Sequence, residues 1–263
     1  MGFKAKFLEE KARYITGILL IILAVVVLWI DHVILFWGVL GVVYVLGFYE
    51  ALELYQKTYH LKFGFWYFVG AICAWILGYF APIESALFMG VFVAGFLAYK
   101  ALDMRLVLPF IYPSLPFLCL FALFKDFGAQ VVTWLVVVVV LADVGAYFGG
   151  RWLGRISLSP TSPKKTLEGA LIGFMLASLI GGLVGIARLG FIGALLVSIV
   201  VALSAILGDL FESYLKRAAG VKDSGFVLPG HGGILDRLDA MLFAGVSMYF
   251  CLNFKLGLLL SFL

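Results

Sequence analysis

The sequence predicts an all-α fold, a polytopic membrane bundle of about nine transmembrane helices. Hydrophobic residues make up 64% of the 263 residues, and charged residues make up only 13%. A soluble domain carries about 25% charged residues, so this chain has too few to cover a water-exposed surface. Its apolar residues recur in runs near the length of about 20 residues that a helix needs to cross a bilayer core. Lipid must therefore surround most of the chain.

The apolar runs predict nine spans, which we take in chain order. The fifth run contains Pro109, Pro113 and Pro116, so we expect its helix to be kinked. The predicted spans are 14–30, 33–52, 63–80, 85–99, 106–124, 129–149, 167–187, 189–212 and 240–262.

Basic residues are distributed unevenly between the ends of these spans. Several lysines and arginines precede the first span, which places the N-terminus in the cytoplasm. If nine spans alternate from there, all of the 19 basic residues except Lys125, Arg188 and Lys255 fall on the cytoplasmic side or in the N-terminal segment. Segment 1–13 has apolar residues four positions apart among basic ones, and we expect it to lie at the cytoplasmic interface.

The two halves of the chain differ in their polar content. Residues 14–128 carry little polar chemistry inside their spans, and three interpretations stay open: a scaffold, a lipid groove or a homodimer surface. Residues 129–263 hold the unusual polar residues and the two longest loops, 150–166 and 213–239. Both loops fall on the cytoplasmic side, so we expect the functional residues of the protein there.

Two other features of the composition carry no functional signal. The three cysteines lie within apolar runs and show no metal-binding spacing, so we expect Cys73, Cys119 and Cys251 to be packing residues. The net charge of +4 is not combined with a nucleic-acid-binding motif, so no nucleic-acid partner is expected.

Carboxylates cluster at two helix ends. Asp209 and Glu212 are three residues apart and share one helix face, and Asp236 and Asp239 repeat that spacing beyond loop 213–239. If the loop folds back, four carboxylates converge at the cytoplasmic end of the membrane, and such oxygen ligands suit Mg²⁺. The alternative is two ion-paired helix ends. The basic residues available for such pairs are Lys216, Arg217 and Arg237.

A second polar segment precedes the seventh span. Ser162 is a good N-cap and Pro163 suits the first position of a helix, so we expect a helix to begin here. The free N–H groups of that helix end, together with Lys164, Lys165 and Thr166, would bind phosphate. The alternative interpretation is ordinary cytoplasmic positive charge.

Asp143 and His231 are the remaining candidates. Asp143 lies late in its span and is either a polar wall of the active site or an interfacial carboxylate paired with Arg151 or Arg155. His231 is flanked by glycines that allow backbone amides to approach a ligand closely.

Residues 213–239, SYLKRAAGVKDSGFVLPGHGGILDRLD, resemble the signature of the phosphatidate cytidylyltransferases, also called CDP-diacylglycerol synthases. Two upstream segments, 143–151 (DVGAYFGGR) and 162–169 (SPKKTLEG), are also similar to that family. The resemblance is strong over about residues 129–250, and the first 128 residues match only in their hydropathy.

The resemblance implies an enzyme that transfers CMP from CTP to phosphatidate, with Mg²⁺, at the cytoplasmic face of the cell membrane. It implies catalytic roles for Asp209, Asp236, Lys165 and Arg237, and metal ligation by Asp209, Glu212, Asp236 and Asp239. The implied substrate-binding residues are Ser162, Lys164, Lys165, Thr166, Lys216, Arg217, Lys222, Asp223, His231, Gly232, Gly233, Asp143 and Arg151.

The residue types suit this chemistry. A phosphate monoester has a second pKa of about 6, so the lipid phosphate is already largely a dianion and needs no general base. A CTP-dependent lipid-alcohol kinase is the nearest competing interpretation, and it would need a base. A transporter is a second alternative, but the charges cluster at one face and not at the midplane. The motif of the CDP-alcohol phosphotransferases is absent from the sequence.

Overall fold

The computed structural model describes the backbone of residues 3–254 and the side chains of residues 14–254. Within that part the chain folds into nine α-helices and one small β-hairpin, which confirms the all-α class. Each predicted span coincides with one helix or, in the fifth and eighth cases, with a helical segment interrupted by a non-helical residue, Tyr112 and Gly190 respectively. The helices are α1 Phe3–Ile30, α2 Val33–Tyr59, α3 Trp66–Gly78, α4 Pro82–Tyr99, α5 Leu115–Phe127, α6 Ala129–Leu153, α7 Leu167–Val184, α8 Ile186–Ala218 and α9 Leu235–Asn253.

Most of these helices are long and apolar enough to cross a bilayer. Among the described residues, six segments meet that criterion of length and composition, and Tyr14–Ile30 and Trp66–Gly78 are shorter apolar helices. The protein is therefore an integral membrane protein. The interfacial placement predicted for 1–13 and the final residues of the predicted span 240–262 fall outside the described side chains.

The chain forms two compact units, each with its own core. The first contains the described residues up to Phe121 together with Leu215–Leu238, and the second contains Ala122–Tyr214 and the described residues from Asp239 onward. The first unit thus takes in the loop between α8 and α9. The functional division predicted at residues 128 and 129 stays a prediction.

Aromatic packing forms the core of the first unit. The ring of Tyr44 stacks on that of Trp75 at 5.0 Å and lies 5.4 Å from that of Phe117. The buried Tyr44 hydroxyl is 2.8 Å from the Ser114 hydroxyl, which donates to the Pro109 carbonyl at 2.9 Å. These bonds satisfy polar groups inside an apolar core, where an unpaired hydroxyl would be costly.

The predicted kink in the fifth span is confirmed. A short 3₁₀ turn, Met104–Val107, and a π turn, Phe110–Ser114, precede α5. Tyr112 has extended backbone angles, φ −135° and ψ 120°, between Pro109 and Pro113. Proline lacks an N–H and clashes with the preceding turn, so this run does not continue as one helix.

Glycines allow α6 and α7 to pack closely in the second unit. A Cβ added at Gly145 would lie 2.7 Å from the Cα of Gly173, and one added at Gly169 would lie 2.8 Å from the Cα of Gly150. Side chains larger than hydrogen would separate these helices. Close backbone approach through small residues is a common way for helices to pack in membranes.

A β-hairpin, β1 Ser157–Ser159 and β2 Ser162–Thr166, lies between α6 and α7. The prediction that Ser162 caps the seventh helix is wrong, because Ser162 pairs with Ser159 in the hairpin. Thr166 is the N-cap, and its hydroxyl accepts the Gly169 N–H at 3.2 Å. Threonine is also a favoured N-cap residue, and the strand pairing of residues 162–166 leaves Thr166 at the start of the helix.

Candidate active site

The loop between α8 and α9, residues 219–234, is held by a buried ion pair in the first unit. Lys216 Nζ, in the last turn of α8, donates to Asp236 Oδ1 at 2.6 Å, in the first turn of α9. Their side chains are only 12% and 6% exposed. A buried charge needs such a partner, so each residue fixes the other. We call residues 219–234 the glycine-rich loop.

The second oxygen of Asp236 holds the loop itself. Oδ2 accepts the N–H groups of Ser224 and Gly233, both at 2.8 Å, and the Ser224 hydroxyl at 3.0 Å. Burial on its own raises the pKa of Asp236, but the hydrogen bonds from Lys216, Gly233 and Ser224 outweigh it and hold this pKa below its ordinary value of 3.8. Asp236 is therefore a carboxylate anion that gathers loop donors around itself.

Arg237 and two glycines shape the tip of the loop. The Arg237 guanidinium donates to the His231 carbonyl oxygen through Nε at 3.0 Å and Nη2 at 2.6 Å. The N–H of His231 donates to the Leu228 carbonyl at 2.9 Å, which closes a tight turn. Gly230 and Gly232 have φ values of +72° and +78°, a backbone conformation that other residues rarely adopt.

Glu50 of α2 also holds the glycine-rich loop. Glu50 is 1% exposed and accepts the N–H groups of Ile234 at 2.9 Å and Leu235 at 3.0 Å, and the hydroxyl of Ser224 at 2.9 Å. The Ser224 hydroxyl thus lies between the carboxylates of Glu50 and Asp236. Both acids belong to the first unit with the loop that they hold.

The second unit contains a separate charged cluster. Lys165, at the end of β2, forms an ion pair with Asp209 of α8, and their side chains are 39% and 17% exposed. Asp143 lies on α6, with Lys165 and Asp239 as its charged neighbours. Asp239 Oδ1 also accepts the N–H of Ala240 at 2.7 Å. Lys165 is thus close to two carboxylates, those of Asp209 and Asp143.

The other predicted residues occupy varied environments. Glu212 is fully buried on α8, one helical turn after Asp209. Arg217 donates to the Val221 carbonyl at 3.2 Å, and Arg151 donates to the Tyr147 hydroxyl at 3.3 Å. Three further candidates are exposed at the protein surface: Lys164, Lys222 and Asp223.

The predicted convergence of four carboxylates involves residues of both compact units and stays a prediction. Within residues 14–254, no three histidine, cysteine, aspartate or glutamate side chains lie close enough together to hold a metal ion. The contacts correspond instead to the ion-paired alternative for Asp236, with Lys216 as its partner. Asp209 is also paired, with Lys165. Metal ligation by these residues therefore stays a prediction.

Comparison with known proteins decides the family. The model of the cytidylyltransferase family matches residues 11–255 of this chain. The chain belongs to the cytidylyltransferase family. As a cytidylyltransferase it is an enzyme of phospholipid synthesis embedded in a membrane, which confirms the interpretation of the 213–239 signature.

Individual cytidylyltransferases extend the match over nearly the whole chain. The phosphatidate cytidylyltransferases of Helicobacter pylori strains J99 and 26695 are each 50% identical over 256 residues, covering 95% of this chain and 95% of the relative. That of Synechocystis is 49% identical over 113 residues, 41% of this chain and 38% of its own. The family match begins at residue 11 and therefore covers most of the first 128 residues, whose resemblance in the sequence analysis was one of hydropathy alone.

Three residues with clear structural roles escaped the sequence analysis. Glu50 could have been found, because an acid inside an apolar span is expensive and usually has a specific partner. Glu168 accepts the N–H groups of Arg155 and Ile156 at 3.1 and 3.2 Å and so holds the start of the hairpin. Ser224 carried no signal beyond its place in the signature, because its role depends on two acids distant from it in the sequence.

Proposed function

We propose that this cytidylyltransferase transfers CMP from CTP to phosphatidate, giving CDP-diacylglycerol and pyrophosphate. An oxygen of the lipid phosphate attacks the α-phosphorus of CTP, and the bond from that phosphorus to the bridging oxygen of the β-phosphate breaks. The observation that carries the proposal is the 50% identity, over 95% of both chains, to relatives named for this activity. The polar clusters at the ends of α8 and α9 supply groups that suit it.

We propose that Lys165 binds a phosphate of CTP. Its ammonium group is 39% exposed and already holds an anionic oxygen, that of Asp209. Exchange of that carboxylate for a phosphate keeps the lysine paired with an anion throughout. Lys164, the residue before it in β2, is exposed and adds a second positive charge next to Lys165.

We propose that the glycine-rich loop contributes backbone N–H groups and a fixed shape. Arg237 uses two of its donors on the His231 carbonyl, so its proposed catalytic contribution passes through the loop. His231, Gly232 and Gly233 are then placed by the loop beside the substrate. Preformed donors lower the barrier to phosphoryl-group transfer because they need no reorganisation during the reaction.

We propose Mg²⁺ as the cofactor, with Asp209, Glu212, Asp236 and Asp239 as the candidate ligands. A bound Mg²⁺ would neutralise charge on the phosphates of CTP. Asp209 fits this role best, because its carboxylate is partly exposed and already faces a cation. Asp236 fits it only if Lys216 gives way, since Oδ1 holds that lysine and Oδ2 accepts three hydrogen bonds.

The activity is tested with purified protein, phosphatidate, Mg²⁺ and CTP labelled at either the α- or the γ-phosphate. The proposal predicts chloroform-soluble label from the α-position and none from the γ-position. Lipid label from the γ-position would identify a kinase. If neither position labels the lipid, the transferase proposal is wrong and the transporter alternative gains support.

We propose that loops 150–166 and 213–239 face the cytoplasm, where CTP is available. The test places single cysteines at Ser157 and Phe226 in a background without the three native cysteines. Phe226 is 91% exposed and is therefore a better labelling position than the buried Ser224. Both cysteines should resist an impermeant thiol reagent in intact cells and react after permeabilisation. Labelling of both from outside would reverse the orientation.

We further propose that residues 14–128 serve as a scaffold, a lipid groove or the surface of a homodimer. The many exposed apolar side chains of α3 and α4 in the first unit are compatible with either lipid or a second copy. Native mass spectrometry of the protein in detergent separates the two outcomes. A monomer at every protein concentration tested would contradict the dimer.

A further inference from the structure

We propose that Glu50 is a positioning residue for cytidylyl transfer, which holds the glycine-rich loop in its working shape from a distant part of the sequence. The inference rests on the proposed function for its kinetic consequence. The loop has been assigned to the reaction by its signature, whereas Glu50 lies in the stretch interpreted as scaffold, groove or dimer surface.

The position of Glu50 is one that demands a specific partner. It lies within α2, a helix long and apolar enough to span the membrane, and its side chain is 1% exposed. A carboxylate in such surroundings is costly unless its oxygens are hydrogen-bonded. All three donors that it receives come from residues 224–235, between 174 and 185 positions later in the chain.

Two of these donors are the N–H groups at the start of α9. The first four N–H groups of a helix have no partner within the helix, and the positive end of the helix dipole attracts an anion. Glu50 accepts from Ile234 and Leu235, so it caps α9 from another helix. This cap sets where α9 begins, and Asp236 is the next residue after Leu235.

The third donor couples Glu50 to Asp236. The single hydroxyl of Ser224 lies 2.9 Å from Glu50 Oε2 and 3.0 Å from Asp236 Oδ2. The hydroxyl has a single proton for the two carboxylates, so both acids act on the same side chain. Loss of Glu50 removes one side of this arrangement while Lys216 still holds the other side through Asp236.

The glycines of the loop provide the room for this carboxylate. A Cβ added at Gly225 would lie 2.5 Å from Glu50 Oε1, and one added at Gly233 would lie 2.5 Å from Oε2. Real Cβ atoms do not approach an oxygen so closely. The carboxylate of Glu50, which lies outside the signature, thus explains why the signature has glycine at positions 225 and 233.

The test compares Glu50→Gln with Glu53→Gln, a matched change one turn along the same helix. Glu53 has a side chain that is 36% exposed and pairs with Lys57 at 3.8 Å, so its loss leaves no buried group unpaired. Glutamine keeps the size of Glu50 but points an amide NH₂ at N–H donors. We expect Glu50→Gln to lower kcat per folded molecule about tenfold or more and Glu53→Gln to leave it unchanged.

Hydrogen exchange gives a readout that does not depend on activity. Glu50→Gln should speed amide exchange in the peptide covering residues 222–236, while Glu53→Gln should not. The proposal is overturned if Glu50→Gln keeps wild-type exchange and wild-type kcat per folded molecule. This holds whether or not its melting temperature falls. If the wild-type enzyme forms no CDP-lipid, the proposed function fails, and the exchange result still decides whether Glu50 holds the loop.

Ser224→Ala supplies a milder variant in case Glu50→Gln does not fold. It removes one hydroxyl and should change loop exchange and kcat in the same direction. In the double variant the two effects should be less than additive, because both act on one hydrogen-bonded group. Ser224→Ala with unchanged exchange and kcat, or full additivity in the double variant, would contradict the coupling through Ser224.

Discussion

Replacing Asp236 by asparagine separates its two interpretations, a metal ligand and the anion of a structural ion pair. Asparagine keeps the size of the side chain and removes its charge. Lys216, only 12% exposed, then loses its ion pair with Asp236. The new NH₂ group must also face either the ammonium of Lys216 or the N–H groups of Ser224 and Gly233, and neither is an acceptor.

The expected loss of stability follows from the burial of the pair. Removing one partner of a buried ion pair costs about 3–5 kcal/mol. For a chain of about this length, 1 kcal/mol corresponds to about 2–4 °C in melting temperature. Asp236→Asn should therefore melt roughly 6–20 °C below the wild type.

Asp103→Asn is the matched control. Asp103 and Arg105 are also 2.6 Å apart, but their side chains are 33% and 55% exposed. An exposed pair contributes about 0–1 kcal/mol, so the melting temperature of this variant should change little. A loss in Asp236→Asn no larger than in Asp103→Asn would refute the buried-pair reasoning.

The assay measures melting temperature and activity per folded molecule on the same detergent-purified samples over a series of Mg²⁺ concentrations. If Asp236 is also a metal ligand, the folded fraction should be nearly inactive and partly rescued by raised Mg²⁺. If it is only a structural anion that holds the loop, any loss of activity in the folded fraction should not be rescued by raised Mg²⁺. Full activity per folded molecule would remove Asp236 from the metal site.

Lys165→Ala should raise the KM for CTP more than Lys164→Ala does, measured as initial rates at limiting CTP, because Lys165 already holds an anionic oxygen and Lys164 is exposed. Gly145→Ala should destabilise the protein by about 1–3 kcal/mol in thermal melts, since its Cβ would meet Gly173, whereas Gly90→Ala meets nothing within 4 Å. Asp236 has a lowered pKa, so its contribution to stability is present above about pH 4 and is lost as the pH falls through that lowered value. The difference in melting temperature between wild type and Asp236→Asn should therefore narrow below pH 4, and a constant difference would contradict the assignment.

Apolar run length and the family signature made the bundle predictable from the sequence. A helix must span a fixed thickness of lipid with all of its backbone groups paired, so the positions of the spans are written in the sequence locally. The proline-induced break before α5 was predictable for the same reason, because proline acts on its own turn. The signature at 213–239 similarly identified the enzyme class before any contact was known.

Local sequence could not choose between two suitable caps for α7. Ser162 and Thr166 both have side chains that cap helices well. Pairing of β2 with β1 made residues 162–166 extended and left Thr166 at the start of the helix. Strand pairing depends on residues on the other side of a turn, so no property of the segment itself could decide the matter.

The sequence by itself determined that this chain is a membrane-embedded cytidylyltransferase with its unusual charges near the ends of α6, α8 and α9. Only the tertiary structure decided the partners of those charges: Lys216 for Asp236, Lys165 for Asp209, and the start of α9 for Glu50. The span of an apolar helix is set by its own residues, whereas a buried charge is stabilised by whichever group the fold brings against it. Glu50 and Ser224 are 174 positions apart in the chain, and only folding places their side chains within 2.9 Å.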